Sequence, residues 1–138
     1  MDDEFATVLT VYGEARGEEI DGQVAVASVI RNRVNNRKKS YIEICFEPNQ
    51  FSCWNEHDPN RKILDIIRQE KIPPDNVFIQ IQYLVAGVMT GKIIDNTKGS
   101  EHYLERALFY STKRPSWARI TKDQIQIRNH VFFTPVKS

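Results

Sequence analysis

The chain has 138 residues, of which 41% are hydrophobic and 27% charged, and 19 basic side chains nearly balance 18 acidic ones. This composition is that of a globular protein and excludes a disordered chain, while a formal net charge of +1 gives no field that would indicate nucleic-acid or membrane-surface binding. The length suits a single domain over residues 1–138, and no run approaches the roughly 20 apolar residues that a membrane span needs.

The N-terminal residues 1–12 are acidic, whereas a signal peptide has a basic start and a clean apolar run. We therefore expect the protein to be made in the cytoplasm and to leave it only with the help of another component. Cys45 and Cys53 have no diagnostic spacing. In a chain without an export signal, we expect them to be a reduced and partly buried pair.

Hydrophobic periodicity predicts helices in the first two thirds of the chain. The first begins after Asp2 and Asp3, whose charges suit the positive end of a helix. Its apolar residues recur at helical spacing, namely Phe5, Val8, Leu9 and Tyr12. A second helix is predicted over about 21–34, followed by a loop at residues 38–40. Its apolar stripe consists of Val26, Val29, Ile30 and Val34.

Two more helices and a small sheet are predicted after this loop. A short helix over 60–69 would bury Ile63, Leu64 and Ile67. Pro73 and Pro74 open a helix that ends at Gly91. Its apolar face consists of Phe78, Ile81, Val85 and Met89. Turn formers then fill residues 95–99, and the aromatic and β-branched stretches 102–110 and 130–136 favour short strands. Helices followed by a small sheet indicate an α+β fold.

Glu14 is a candidate cleft residue. If the first helix reaches this residue, its side chain lies about 140° from Leu9 and off the apolar stripe. Glycines at positions 13 and 17 allow other segments to approach closely, which suits the wall of a cleft. The alternative is an ordinary surface glutamate that pairs with Arg16.

The predicted loop at residues 48–54 contains both polar and aromatic side chains. Phe51 and Trp54 are costly to expose on a loop, so they either fill the core or line a groove in which aromatic rings stack on sugars. The sequence alone leaves both alternatives open.

The histidines show no metal-ligand pattern. His57, His102 and His130 fall in three separate segments, without the close spacing of a zinc-binding helix. The chain also has no phosphate loop, no dinucleotide fingerprint and no nucleophile elbow. We therefore expect neither a metal nor a cofactor, and favour a histidine at a cleft or bonded to the backbone over a zinc site that includes Glu14.

Four blocks of sequence, in the same order, resemble the SleB/CwlJ-type cell-wall hydrolase family, whose best-known members degrade spore-cortex peptidoglycan. The first block is YGEARGE at 12–18, with GQVAVASVI at 22–30 and NRV at 32–34. The second and third are QFSCW at 50–54 and DNTKGSEHY at 95–103. The fourth combines PSW at 115–117, Thr121 and HVFF at 130–133.

The resemblance implies a lysozyme-like α+β fold, similar to lytic transglycosylases, and cleavage of the β-1,4 bond between N-acetylmuramic acid and N-acetylglucosamine in peptidoglycan. It places the family's single catalytic acid on Glu14. In a transglycosylase, the protonated acid donates to the glycosidic oxygen and its carboxylate then takes the proton of the muramyl 6-hydroxyl. A hydrolase would need a second carboxylate about 5–9.5 Å away. Glu18, Glu19 and Asp21 are near in sequence, on a turn that need not face Glu14.

The matching blocks also suggest substrate contacts. We expect these to be Gln50, Phe51, Ser52, Trp54, Thr97, His102 and Tyr103. Phe51, Trp54 or Tyr103 would supply an apolar wall beside the acid, and Trp117 is expected to be structural. Where the family has an Ile-Gly pair, this chain has Ile127-Arg128, so Arg128 would alter that edge or contact carboxylates of the substrate.

The near-neutral balance hides a charge gradient. Residues 1–30 carry seven acidic and one basic side chain, whereas residues 100–138 carry seven basic and three acidic ones. Such segments are most often solvated faces. The functional alternative is that acidic neighbours help to keep Glu14 protonated while a basic wall holds the anionic lactyl-peptide stems of the glycan.

The sequence therefore predicts a monomeric lytic transglycosylase that acts on peptidoglycan strands and forms 1,6-anhydro-muramyl ends. Without a signal peptide or a wall-binding module, it would fit a phage endolysin released through a holin-type pore, or else a catalytic domain cut from a longer protein. Two other functions stay open, a two-carboxylate muramidase on the same fold and a non-catalytic glycan-binding module. Nucleic-acid binding through the basic C-terminal third is a more distant alternative.

Overall fold

The computed structural model describes residues 1–119 and 123–136. Thr121 of the fourth block lies outside them. The helices are α1 (Asp3–Ala15), α2 (Ile20–Arg37), α3 (Tyr41–Phe46), α4 (Pro59–Glu70), α5 (Asn76–Met89) and α6 (Arg106–Phe109), with a 3-10 turn at Ser52–Trp54. The strands are β1 (His102–Glu105), β2 (Ile125–Ile127) and β3 (His130–Phe133). This arrangement confirms the α+β class.

Helix α1 is the centre of the helical part. Asp2 caps it, since its Oδ1 accepts a hydrogen bond of 2.7 Å from the Phe5 amide. The predicted apolar stripe is present, but the helix is buried on all sides from Ala6 to Gly13 because α2, α3, α4 and α5 surround it. Glu14, in its last turn, is the first side chain after this buried stretch that reaches a surface.

The other predicted helices are confirmed with shifted ends. Helix α4 buries Leu64 and Ile67, but the prediction for Ile63 is wrong, because that side chain is 37% exposed on the outer face. Helix α5 begins after the two prolines, where Asp75 accepts from the Phe78 amide, and is followed by Gly91 at φ 80°.

Helix α3 was not predicted from the sequence. Ser40 and Glu43 form a capping box there: the Ser40 hydroxyl accepts from the Glu43 amide, and the Glu43 carboxylate accepts from the Ser40 amide. The S-x-x-E pattern is the sequence signal for this motif.

The sheet is antiparallel with the order β1-β3-β2. The predicted strands are too long: 102–110 is extended only to Glu105 and then turns into α6, while 130–136 ends at Phe133. Phe132 packs on Ala25 and Val29 of α2, and the opposite face of β3 packs on Phe109 and Ala118. This packing places β1 beside the C-terminal end of α1.

Arg128 lies in the turn between β2 and β3. This residue has φ 55°, a left-handed conformation that glycine adopts without strain. The Arg128 guanidinium pairs with Asp21 at 3.1 Å on the outer surface. The side chain thus ties the basic end of the chain to the acidic beginning.

Candidate active site

One cleft, with a volume of about 510 Å³, brings together residues from all four sequence blocks. Helices α1 and α2, the loop around the 3-10 turn, strand β1 and the segments near residues 117 and 135 form its walls. Its lining residues are Glu14, Arg33, Asn49, Gln50, Ser52, Asn55, His102, Tyr103, Leu104, Trp117 and Pro135. Glu14 is the only carboxylate among them.

Three donors hold the Glu14 carboxylate. Its Oε2 accepts from the Cys53 amide at 3.0 Å and from the Ser52 hydroxyl at 3.3 Å, and its Oε1 accepts from the Tyr103 hydroxyl at 2.5 Å. Arg16 lies instead over the Tyr12 ring, so the alternative of a Glu14–Arg16 surface pair is wrong. Among the described residues, no Lys, Arg or His nitrogen lies within 4 Å of a Glu14 carboxylate oxygen, so Glu14 has no ion-pair partner there.

Gly13 makes this arrangement possible. A Cβ atom at that position would lie 2.7 Å from the Cys53 Cβ and 2.8 Å from a Leu64 methyl group. Both distances are shorter than side-chain packing allows, so only glycine lets the 3-10 turn approach α1 closely. The close approach brings the Cys53 amide within hydrogen-bonding distance of Glu14.

Tyr103 donates a hydrogen bond to Glu14 from a phenol that keeps its proton. Burial, and then the neighbouring Glu14 carboxylate, hold the pKa of Tyr103 well above its usual value, so the phenol stays protonated. The ring packs against Phe132 of β3, with centroids 5.4 Å apart. The sheet therefore fixes the direction from which the hydroxyl reaches the carboxylate.

His102 is a neutral ring between two arginines. Its Nδ1 lies 3.3 Å from Arg33 Nη2 and its Nε2 lies 3.4 Å from Arg37 Nη2. Burial, and then the charges of Arg33 and Arg37, lower the pKa of His102 to about 4. The ring also packs against Trp117, with centroids 5.4 Å apart, so it lies at the junction of the charged and aromatic parts of the cleft.

This environment predicts an acid-sensitive fold. Unfolded His102 takes up a proton near its ordinary pKa of about 6.5, whereas the folded ring stays neutral down to a pKa of about 4. Stability is therefore lost as the pH falls through this interval. Between pH 7 and pH 4.5, the free energy of unfolding should fall in both proteins. We expect the fall to be about 1–2 kcal/mol smaller in His102→Gln than in the wild type, allowing for the partial exposure of the ring. Urea unfolding at the two pH values measures this difference. Equal losses in the two proteins would contradict this.

The loop at residues 48–54 divides between cleft and core. Gln50 and Ser52 are exposed and line the cleft, and their role as substrate contacts stays a prediction. Phe51 is 1% exposed and lies in the core, and half-buried Trp54 donates from Nε1 to Thr10 Oγ1 at 2.9 Å while packing on Phe46. These two aromatic residues are not among the lining residues, and the core alternative describes them correctly.

Thr97 also requires a correction. Its side chain is 0% exposed, and both its amide and its hydroxyl donate to Asp95 Oδ1, at 2.7 and 2.6 Å. Asn32 of α2 donates to Asp95 Oδ2 at 3.0 Å and so anchors this turn to the helix. Thr97 therefore stabilises the loop before β1 and presents no surface to a ligand.

Two prominent lining residues were not predicted as parts of the site. Arg33 stands seven residues after Val26, so an arginine on the apolar stripe of α2 was the available signal. Trp117 was expected to be structural, but it is 48% exposed and its ring stacks on Phe133 at 6.0 Å with an 18° angle between the planes. One edge of the cleft thus carries a supported and exposed aromatic ring.

The acids closest to Glu14 in sequence are directed elsewhere. Glu18 lies 3.6 Å from His130, Asp21 pairs with Arg128, and Glu19 lines a separate surface depression. None of these three side chains is among the described residues that line the cleft. Within residues 1–119 and 123–136, no three His, Cys, Asp or Glu side chains are grouped in a way that would hold a metal ion.

Both cysteines are buried and unpaired. Burial raises the pKa of Cys45 to about 11, and burial and Glu14 raise the pKa of Cys53 further. Neither thiol therefore forms the thiolate that a nucleophile requires near neutral pH. In the part of the chain that the structure describes, no helix is long and apolar enough to cross a membrane.

Comparison with protein families shows to which family the chain belongs. The model described as Cell Wall Hydrolase matches residues 17–133, which is most of the chain. The chain belongs to the cell wall hydrolase family. The match begins three residues after Glu14 and includes every other residue of the cleft lining except Pro135.

Curated relatives of this cell wall hydrolase are spore cortex-lytic enzymes. The protein from Oceanobacillus iheyensis is 52% identical over 65 residues, which cover 41% of this chain and 23% of that protein. The Bacillus subtilis protein is 52% identical over 45 residues, which cover 31% of this chain and 15% of that protein. The matches thus span less than a quarter of each of these relatives. No solved structure gives a significant match.

Proposed function

We propose that this cell wall hydrolase is a peptidoglycan lytic transglycosylase whose catalytic acid is Glu14. The observation that carries the proposal is that, among the described residues lining the cleft, Glu14 is the one carboxylate. A two-carboxylate glycosidase needs a second acid beside the scissile bond. The described residues that line this cleft provide none, and Glu18, Glu19 and Asp21 face other surfaces.

One carboxyl group is sufficient for transglycosylation. Protonated Glu14 donates to the glycosidic oxygen as the bond from the anomeric carbon breaks. The resulting carboxylate takes the proton from the muramyl 6-hydroxyl, whose oxygen bonds to the anomeric carbon. Glu14 is then protonated again, and no water is consumed. Tyr103 and the Cys53 amide stabilise the carboxylate between these two steps, because both donate to it.

The polar lining is suited to a sugar. Gln50, Ser52, Asn49 and Asn55 are exposed side chains along the loop wall and offer both donors and acceptors. We assign them, with His102, to hydroxyl and acetamido groups of the glycan. The whole of residues 1–138 forms one catalytic domain in this proposal, with a lysozyme-like arrangement of a helix-end acid beside a small sheet.

The exposed ring of Trp117 gives the proposal a binding test. We assign it to stacking on a pyranose, since Phe133 and His102 hold it at the cleft edge. Trp117→Ala is expected to raise KM for soluble glycan strands about tenfold with little change in kcat, because aromatic stacking contributes about 1–3 kcal/mol. Trp117→Phe should restore most of the affinity. An unchanged KM in the alanine variant would contradict the assignment.

The endolysin role, with release through a holin-type pore, is the biological part of the proposal. It is tested by expressing the protein in a susceptible bacterium with and without a pore-forming protein. Lysis only when the pore is present supports the role. Lysis without it contradicts the role and leaves the chemistry intact.

A further inference from the structure

Arg33 is a buried cation in the wall of the cleft. Its side chain is 2% exposed, and Nε donates to the Glu101 carbonyl oxygen at 2.6 Å. The guanidinium also lies over the Phe51 ring, 4.8 Å from its centroid. The remaining neighbours are weaker partners: Nη1 lies 3.4 Å from Gln50 Oε1, and Nη2 lies 3.3 Å from His102 Nδ1.

The carboxylates of this region bind a different arginine. Glu101 and Glu47 contact Arg37, at 3.1 and 3.6 Å. Among the described residues, no carboxylate lies within 4 Å of the Arg33 guanidinium. Buried charges in proteins are normally paired, so a buried arginine that faces a cleft without a carboxylate is an incomplete ion pair.

The charge persists at neutral pH. Burial, and then the charge of Arg37, lower the pKa of Arg33 only to about 10. The side chain therefore remains a guanidinium, with a planar set of donors that matches the two oxygens of a carboxylate.

Gln50 occupies the position that a ligand would take. Its neutral amide oxygen accepts only a long hydrogen bond from Arg33 Nη1. Because the Gln50 side chain is exposed, it can turn away at little cost. A carboxylate entering from the cleft would replace this weak contact with a charge-assisted one. Such hydrogen bonds are roughly twice as strong as neutral ones.

We propose that Arg33 is the receptor for a carboxylate of the glycan substrate, in the same cleft as Glu14. This inference rests on the proposed function and names the substrate group that the site selects. A contact with substrate carboxylates was one of two roles predicted for Arg128, but that side chain pairs with Asp21 outside the cleft. Two sources share the chemistry, namely the free lactyl carboxylate of a muramyl residue that has lost its peptide and a carboxylate of an attached peptide stem.

Binding to an inactive enzyme tests the proposal directly. We would measure by calorimetry the affinity of Glu14→Gln for soluble peptidoglycan oligosaccharides without stems. One preparation keeps its lactyl carboxylates, and the other has them converted to methylamides. The charged ligand should bind about 10- to 100-fold more tightly, the range expected for hydrogen bonds to a charged group. Equal affinities, or tighter binding of the amide, would overturn the lactyl assignment.

A second pair of ligands distinguishes the sources. Oligosaccharides with intact stems are compared with the same material after amidation of the stem carboxylates. A preference confined to this pair assigns Arg33 to the stem, and a preference confined to the first pair assigns it to the lactyl group. No preference in either pair rejects the carboxylate site.

Variants then locate the preference at Arg33. In the Glu14→Gln background, Arg33→Lys keeps the charge but loses the planar donors, and Arg33→Met loses both. We expect the preference for the charged ligand over the amidated one to be smaller in Arg33→Lys and absent in Arg33→Met. Arg128→Gln is the matched control, since it removes an arginine charge outside the cleft and should keep the full preference. A preference that survives in a folded Arg33→Met variant would overturn the proposal.

Two outcomes separate this inference from the proposed function. If charged and amidated glycans bind and are cleaved equally well, the carboxylate site is rejected while the enzyme activity stands. If no peptidoglycan fragment binds to Glu14→Gln or is cleaved by the wild type, the proposed function itself is rejected. Should the Arg33 variants fail to fold, the ligand pairs still decide, because they use the unaltered arginine.

Discussion

Glu14→Gln is expected to lower the rate of peptidoglycan cleavage by about two to four orders of magnitude, the usual contribution of a general acid–base group. The variant should fold like the wild type. Its amide oxygen can accept from the Cys53 amide as Oε2 does, and its amide nitrogen can donate to the Tyr103 hydroxyl oxygen. The measurement is turbidity loss of purified cell walls, with circular dichroism to establish folding.

Glu19→Gln is the matched control for this experiment. The residue is an exposed acid of the same segment that lines a different surface depression. We expect the control to keep wild-type activity. A folded Glu14→Gln protein with full activity would remove Glu14 from the mechanism. A comparable loss in Glu19→Gln would instead favour the two-carboxylate muramidase.

Tyr103→Phe is expected to lower kcat about 10- to 100-fold with a smaller change in KM, because it removes a hydrogen bond to a charged group and leaves the ring in place. The hydroxyl lies 2.5 Å from Glu14 Oε1 and is held there by the sheet. Without it, the carboxylate loses one of its three donors and its fixed orientation. Steady-state kinetics on soluble glycan strands would separate kcat from KM.

Tyr83→Phe serves as the control for loss of a hydroxyl. Tyr83 is 78% exposed on α5 and does not line the cleft. If Tyr103→Phe keeps the wild-type kcat, or if its only effect is a higher KM, the hydroxyl does not position Glu14 for catalysis. Tyr103 would then be a substrate contact alone.

Local patterns made the helical part predictable. Asp2 caps α1 by a contact three residues away, and the apolar periodicity of α5 arises within that helix. The burial of α1 on all sides follows instead from the elements packed around it, and a single helix's pattern does not reveal those neighbours. Strand β2 was not predicted. It is three residues long and is stabilised by pairing with β3, so its own residues contain little information about a strand.

Some residues of the candidate site could be predicted from the sequence, and others could not. Glu14 was assigned from the family resemblance, together with its predicted position at the end of α1. The cleft brings it together with Gln50, Ser52, His102 and Tyr103. Thr97, in contrast, belongs to a buried polar network around Asp95. Polar residues of such networks and polar residues of binding sites look alike in a sequence.

Arg33 shows what the sequence could not decide. Its place on an apolar stripe was a signal of burial, but both nearby carboxylates, Glu47 and Glu101, contact Arg37 instead. Which arginine these carboxylates contact is a property of the packed structure. The cleft chemistry therefore rests on contacts between segments that are far apart in the chain.

The central claim is that one carboxylate, acting without water, cleaves the glycan. Mass spectrometry of the fragments released from purified peptidoglycan tests it most directly. We predict muropeptides with 1,6-anhydro-muramyl ends, which are lighter than the hydrolysis products by one water molecule. Fragments that carry only reducing ends would contradict this account and identify the protein as a hydrolase.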